Sequence, residues 1–217
     1  MLLLILRKNL HSQQNGINLY GITNFHSVWE DMCKVLFDNS YLDGSKYKEV
    51  IRELTAPRYV LNKELQGKKD GNPLIPDVVT KYKDTFFVID AKYYNISIQS
   101  SENDDEITND IEINDNENTQ LDKLQGFLPG TYDVLKQIIY MEAFLKEKEK
   151  LGINDKKVKN IFIIPGTEDR FIGKVGMELF LEKDIELWLM DIKQALDFYL
   201  KNKTNTKLLD TILLDNI

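Results

Sequence analysis

From Phe25 to Leu36 the apolar residues Phe25, Val28, Trp29, Met32, Cys33 and Leu36 recur at steps of three and four, which predicts one amphipathic helix. Thr23 or Asn24 is placed to cap its start. Ahead of it, residues 1–24 hold no sustained period and read as an extension, or the remnant of something longer. Residues 58–66 suggest a strand. Leu74 to Val79 and Thr85 to Tyr94 flank a polar turn, and the second run is rich in aromatic and β-branched residues. Its nearly continuous hydrophobicity predicts a strand buried on both faces.

The pattern resumes after a long polar stretch. Pro129-Gly130 closes that stretch, and Thr131 is expected to cap a helix running to about Lys150. Val158 to Ile164 predicts a short buried strand stopped by Pro165-Gly166. A further strand near Ile185–Met190 leads into an amphipathic helix at about 191–202. This alternation points to an α/β fold, a mixed central β-sheet flanked by helices. No internal repeat is visible.

With 217 residues, the chain suits one domain with additions: an extension at 1–24 and a domain at 25–217. Its hydrophobic fraction of 42% and charged fraction of 29% are ordinary for a globular protein. A single cysteine, Cys33, excludes an internal disulfide framework and suits a reducing cytosol. The apolar run Met1 to Leu6 is far short of the about 20 residues a membrane span needs. It also lacks the order of features expected of a secretory signal. A cytoplasmic protein with no membrane attachment is the expectation.

The negative charge is concentrated in one segment. The net charge of −7 is set by residues 97–126, where nine acids and one base give −8 and leave +1 on the rest of the chain. That segment is polar and aperiodic, so it reads as a surface insertion, with a DNA-mimicking role as the alternative. A near-neutral body remains able to carry a basic groove.

The chemistry centres on two acids and a lysine. A hairpin turn centred between Lys83 and Asp84 pairs residues whose numbers sum to 167, which sets Asp77 opposite Asp90. Facing carboxylates repel, and a divalent cation between them reverses the sign. Hard oxygen donors with open water positions suit Mg²⁺, and the Ala91 backbone carbonyl offers one more ligand. Lys92 lies two residues beyond Asp90, so both project from one face of the strand. There a lysine can hold the attacking water and offset charge developing on phosphate. The reaction that fits is phosphodiester hydrolysis. A lone Asp-x-Lys on a strand is more often structural, but two charges within an apolar strand are costly unless paired or metal-bound.

Ile75-Pro76-Asp77 followed by Ile89-Asp90-Ala91-Lys92 resembles the PD-(D/E)XK nuclease superfamily. Three further segments sharpen the likeness: Val28-Trp29-Glu30, Leu128-Pro129-Gly130-Thr131-Tyr132-Asp133, and Lys136-Gln137-Ile138-Ile139-Tyr140. Together they resemble the LlaJI family of restriction endonucleases, itself similar to the nuclease subunit of the McrBC modification-dependent system. The resemblance covers about residues 25–200. It implies a restriction-endonuclease-like core and a type II-like hydrolase that cleaves double-stranded DNA with Mg²⁺, Mn²⁺ substituting. It also implies a partner, an AAA+ NTPase of the McrB kind. Two departures stand out: the acidic insertion lengthens the spacing to the Pro-Gly motif, and the N-terminal part is shorter than the family's, so a DNA-recognition region is expected to be missing.

The resemblance also implies that Glu30 is a further metal ligand or orients the ligands. Its structural alternative is a capping box with Ser27. Gln137 and Tyr140, three apart, share a helical face, and the resemblance to related nucleases implies that such a pair buttresses the site or touches the DNA backbone. For Tyr140 the alternative is core packing. Lys136 and Tyr140, four apart, are both placed to reach phosphate. Lys81 and Lys83 flank the turn, where lysines touch phosphate or merely face water. His11 and His26 have no zinc-type spacing to Cys33, and no Gly-rich phosphate loop is present. Two rival functions share this fold: a repair or recombination nuclease, and a non-catalytic DNA-binding or scaffold subunit.

Overall fold

The computed structural model describes residues 5–6, 19–20, 25–57, 71–93, 128–180 and 183–214. The first elements are the two-residue strands β1 (Ile5–Leu6) and β2 (Leu19–Tyr20), which pair antiparallel with each other. Helices α1 (Phe25–Leu36) and α2 (Lys46–Thr55) precede the hairpin β3 (Val78–Tyr82) and β4 (Thr85–Ala91). Then come α3 (Thr131–Lys146), the short α4 (Lys148–Leu151), β5 (Val158–Gly166) and β6 (Arg170–Val175). Strand β7 (Ile185–Asp191), α5 (Ile192–Leu200) and α6 (Lys207–Leu214) complete the order.

The main sheet has five strands in the order β3-β4-β5-β7-β6. Its three inner strands run parallel, while β3 and β6 lie antiparallel at the two edges. Every residue of β4 is buried, because it has strands on both sides and helices on both faces. On one face Trp29, Met32, Cys33 and Leu36 of α1 pack with Phe87, Ile89, Ile161, Ile163 and Trp188, closed over by Leu208, Leu209 and Ile212 of α6. On the other face α2 and α3 cover Val79, Phe86 and Val88 with Val50, Ile51, Tyr140 and Phe144. This is the mixed α/β sheet with flanking helices that the alternation predicts.

Several boundaries differ from the sequence pattern, each for a local reason. Strand β5 continues through Pro165-Gly166 instead of stopping there. Lys92 donates its amide to the Ile163 carbonyl, so Ile163 and, by the two-residue repeat, Pro165 turn their backbone groups toward β4. Strand β4 ends at Ala91, opposite Ile163, while β7 continues beside Pro165 and Gly166, so the missing Pro165 amide interrupts no bond to β7. Gly130, not Thr131, occupies the N-cap of α3. The expected helix to Lys150 breaks at Glu147 into α3 and α4, and Gly152 ends it at φ +67. The strand expected at 58–66, the cap at Thr23 or Asn24 and the acidic segment at 97–126 lie outside the described residues.

Absent from the pattern were α2, β6 and α6, as well as the two-residue strands β1 and β2. Helix α2 buries only Val50 and Ile51 and is announced by Ser45, whose hydroxyl accepts from the Lys48 amide at 3.3 Å. Among the described residues, no helix is long and apolar enough to cross a membrane.

Candidate active site

The hairpin register sets the geometry. Val78 pairs with Ile89 and Tyr82 with Thr85, every intervening pair keeping the same sum and no bulge intervening. The next pair past the ladder's end is Asp77 and Asp90, the register expected from the turn. Asp77 lies just before β3, and its Oδ2 accepts the Ala91 amide at 2.9 Å. Two hydrogen bonds from Asn39 hold this stretch of backbone. Its Oδ1 accepts the Val79 amide at 2.9 Å, and its Nδ2 donates to the Asp77 carbonyl at 3.4 Å. Ser40 adds an amide bond to the Val79 carbonyl at 2.7 Å, so the loop after α1 covers the edge of β3.

The electrostatics follow from burial. Asp90 is 2% exposed and Lys92 9%. The Lys92 ammonium lies 2.6 Å from Asp90 Oδ2 and 2.9 Å from Asp133 Oδ1. It also stands 6.0 Å from the Phe162 ring centre. Beyond that ion pair Asp90 Oδ2 has no hydrogen-bond partner. Burial pushes the Asp77 carboxyl up to about 7, and the neighbouring Asp90 charge adds to the rise, with the Ala91 amide opposing it. Burial works against the Lys92 ammonium, yet Asp90 and Asp133 outweigh it and hold the group well above the usual lysine range. Burial also raises Asp133, but the hydrogen bond and charge of Lys92, with Lys136 behind them, bring it below the ordinary carboxylate range. Lys136 itself lies 3.7 Å from Asp133 and 5.6 Å from the Tyr132 ring centre.

Helix α3 supports this end of the sheet from one face. Gln137 is fully buried, and its Nε2 donates to the carbonyls of Val88 at 3.0 Å and Ile161 at 3.2 Å. The Tyr140 hydroxyl donates to the Ile75 carbonyl at 2.6 Å, tying the helix to the segment that leads into Asp77. Its ring packs in the α2–α3 cluster, so the residue both fills the core and anchors the loop. Gln137 and Tyr140 therefore meet the backbone of the site strands rather than an open surface. Trp29, one residue before Glu30, donates its Nε1 to the Ile163 carbonyl at 3.2 Å and fixes α1 against the end of β5.

Glu30 sits close enough to Asp77 to raise its carboxyl pKa, but its own carboxylate is 2.7 Å from His26 Nε2 one turn earlier. Since α1 begins at Phe25, Ser27 lies inside the helix and the capping box is not formed. Lys81 and Lys83 stand toward the hairpin turn, away from Asp77 at the far end of a strand about 17 Å long. Lys83 is bound there to Asp210 of α6 at 2.6 Å. The structure thus gathers Asp77, Asp90, Lys92 and Lys136 with Gln137 and Tyr140 behind them, and leaves Lys81 and Lys83 elsewhere. It adds Asn39 and Asp133, which the sequence pattern did not single out for a role.

The residues present fit a hard divalent cation. Two carboxylates meet at a sheet end: the Asp77 carboxyl is raised by burial and by the Asp90 charge, and the buried Asp90 Oδ2 has no partner beyond the Lys92 ammonium. In extended backbone a residue's amide and carbonyl point to the same edge, so the Ala91 carbonyl lies on the Asp77 side of β4. Among the described residues, no group of three or more His, Cys, Asp or Glu side chains is placed to hold a metal. A cation here would rest on two carboxylates, backbone oxygen, water and substrate, the pattern Mg²⁺ favours.

The sequence matches the family described as "LlaJI restriction endonuclease" over residues 1–203. It is 27% identical over 205 residues to the protein named type II restriction enzyme BsuMI component YdjA, of Bacillus subtilis (strain 168). That alignment covers 91% of this chain and 37% of the relative, so the chain spans well under half the relative's length. No solved structure matches it.

Proposed function

The chain belongs to the LlaJI restriction endonuclease family, and on that premise we propose that it is the nuclease of a restriction system, hydrolysing phosphodiester bonds of double-stranded DNA with Mg²⁺. The observation that carries this reading is the pair Asp77 and Asp90, brought face to face at a sheet end with Asp77 pushed up to about 7. Facing carboxylates destabilise a fold that has no use for them. Asp77, Asp90 and the Ala91 carbonyl would hold the cation, with Glu30 orienting the set. A divalent cation there supplies Lewis acidity, easing loss of a proton from water and drawing charge from a phosphoryl oxygen.

The protein's own groups do the rest. Lys92 keeps its ammonium charged beside the acids and offsets charge building on the phosphate. Lys136, on the first turns of α3, offers a second cation to the DNA backbone. Gln137 clamps β4 to β5 at Val88 and Ile161, and Tyr140 holds the segment that leads into Asp77, so that the two carboxylates keep their geometry. Recognition or translocation is assigned to a partner, an AAA+ NTPase, because the relative is named as one component of a restriction enzyme.

The test is nicking of supercoiled plasmid by the chain together with that partner, in Mg²⁺, against the Asp90→Ala variant and a chelator control. Cleavage is expected to fall by about a hundredfold or more in the variant. Equal cleavage by both proteins would refute the reading.

A further inference from the structure

Lys92 has two carboxylates for one ammonium, and only one of them belongs to the pair assigned to the cation. Nζ lies 2.6 Å from Asp90 Oδ2 and 2.9 Å from Asp133 Oδ1. Asp133 stands on the first turn of α3 and is three-quarters buried, with Lys136 at 3.7 Å. An ammonium and a divalent cation compete for the same Asp90 oxygens and repel each other. A buried ammonium stripped of its only counter-ion is strongly destabilised. The second carboxylate removes that penalty, since it is already at bonding distance and Lys92 need not leave the site.

Resting on the metal-dependent reading above, we propose that Asp133 is a positioning residue, which retains the Lys92 ammonium when a divalent cation takes Asp90. Asp133 then has two consequences. It lowers the competition of Lys92 for Asp90, and so favours cation binding. It also fixes the ammonium beside the carboxylates, where the reaction needs its charge. Both effects act through Lys92 and disappear without it.

Calorimetric titration of the metal-free chain with Mn²⁺ tests this without relying on cleavage. The proteins compared are wild type, Asp133→Asn and Asp133→Glu, each with and without Lys92→Met, with thermal unfolding to confirm the fold. Asp133→Asn is expected to weaken Mn²⁺ binding about tenfold, the usual scale for a group that orients or supports metal ligands. Asp133→Glu should bind close to wild type, and Lys92→Met should erase the effect of Asp133→Asn. Unchanged Mn²⁺ affinity in both Asp133 variants overturns the inference and leaves the nuclease reading standing. A tenfold loss that persists in the Lys92→Met background also overturns it, because Asp133 would then act by its charge alone. A wild-type chain that binds no Mn²⁺ overturns both.

Discussion

At the scale of single residues, the Asp77 carboxylate carries a penalty for its charge, from burial and from Asp90. Burial and Asp90 raise its folded-state pKa to about 7, while the unfolded chain keeps the ordinary value of 3.8. Between those values the folded state binds more protons than the unfolded one. The stabilising contribution is therefore complete below about pH 4 and is lost as pH rises through 7, by on the order of 2–4 kcal/mol. Asp77→Asn should remove that loss, because the amide oxygen keeps the Ala91 bond without the charge. Denaturant unfolding of the two proteins from pH 4 to 8, without divalent ions, checks it; parallel pH profiles would count against the raised pKa. Asp77, Asp90 and Lys92 were legible in the sequence because a short hairpin with an unbroken register is local arithmetic. Asp133 was not, because its meeting with Lys92 depends on how α3 lands after a segment of more than thirty residues.

At the scale of elements, the loop after α1 does what no periodicity announces. Asn39 reaches 38 and 40 residues along the chain to grip the Asp77 carbonyl and the Val79 amide. Asn39→Ala leaves both groups without that partner at the edge of β3, which should cost about 1–3 kcal/mol. It should also loosen the position of Asp77. A shift of the urea midpoint measures the first effect, and an unchanged midpoint would show the loop to be passive. Helix α1 and strands β4 and β7 were readable because each buries a continuous stripe or run. Helix α2 was not, because Val50 and Ile51 alone are too few to set a period, and a lone serine such as Ser45 does not by itself mark a helix start. Pro165 misled for a complementary reason. Proline breaks strands by lacking an amide, and here that amide would face away from β7, the strand that carries β5 onward.

At the scale of the whole molecule, the sheet gathers the site at the end where β4 and β5 finish, with α1 on one face and α3 on the other. That is a common position for ligands in sheets with parallel strands. Family membership covers residues 1–203 and so includes the N-terminal stretch as well as the sheet. The α/β class and the hairpin were accessible from sequence; what joins the two faces was not, since Trp29 to Ile163 and Gln137 to Ile161 are contacts across the fold. Every role proposed for the site rests on one physical statement, that Asp77 and Asp90 share a divalent cation. Its most direct measurement is anomalous scattering from crystals of the chain soaked in Mn²⁺. A single strong peak between the Asp77 and Asp90 carboxylates, absent in Asp90→Ala, is the predicted result. Full-occupancy diffraction data with no peak there, and Lys92 still bound to Asp90, would contradict it.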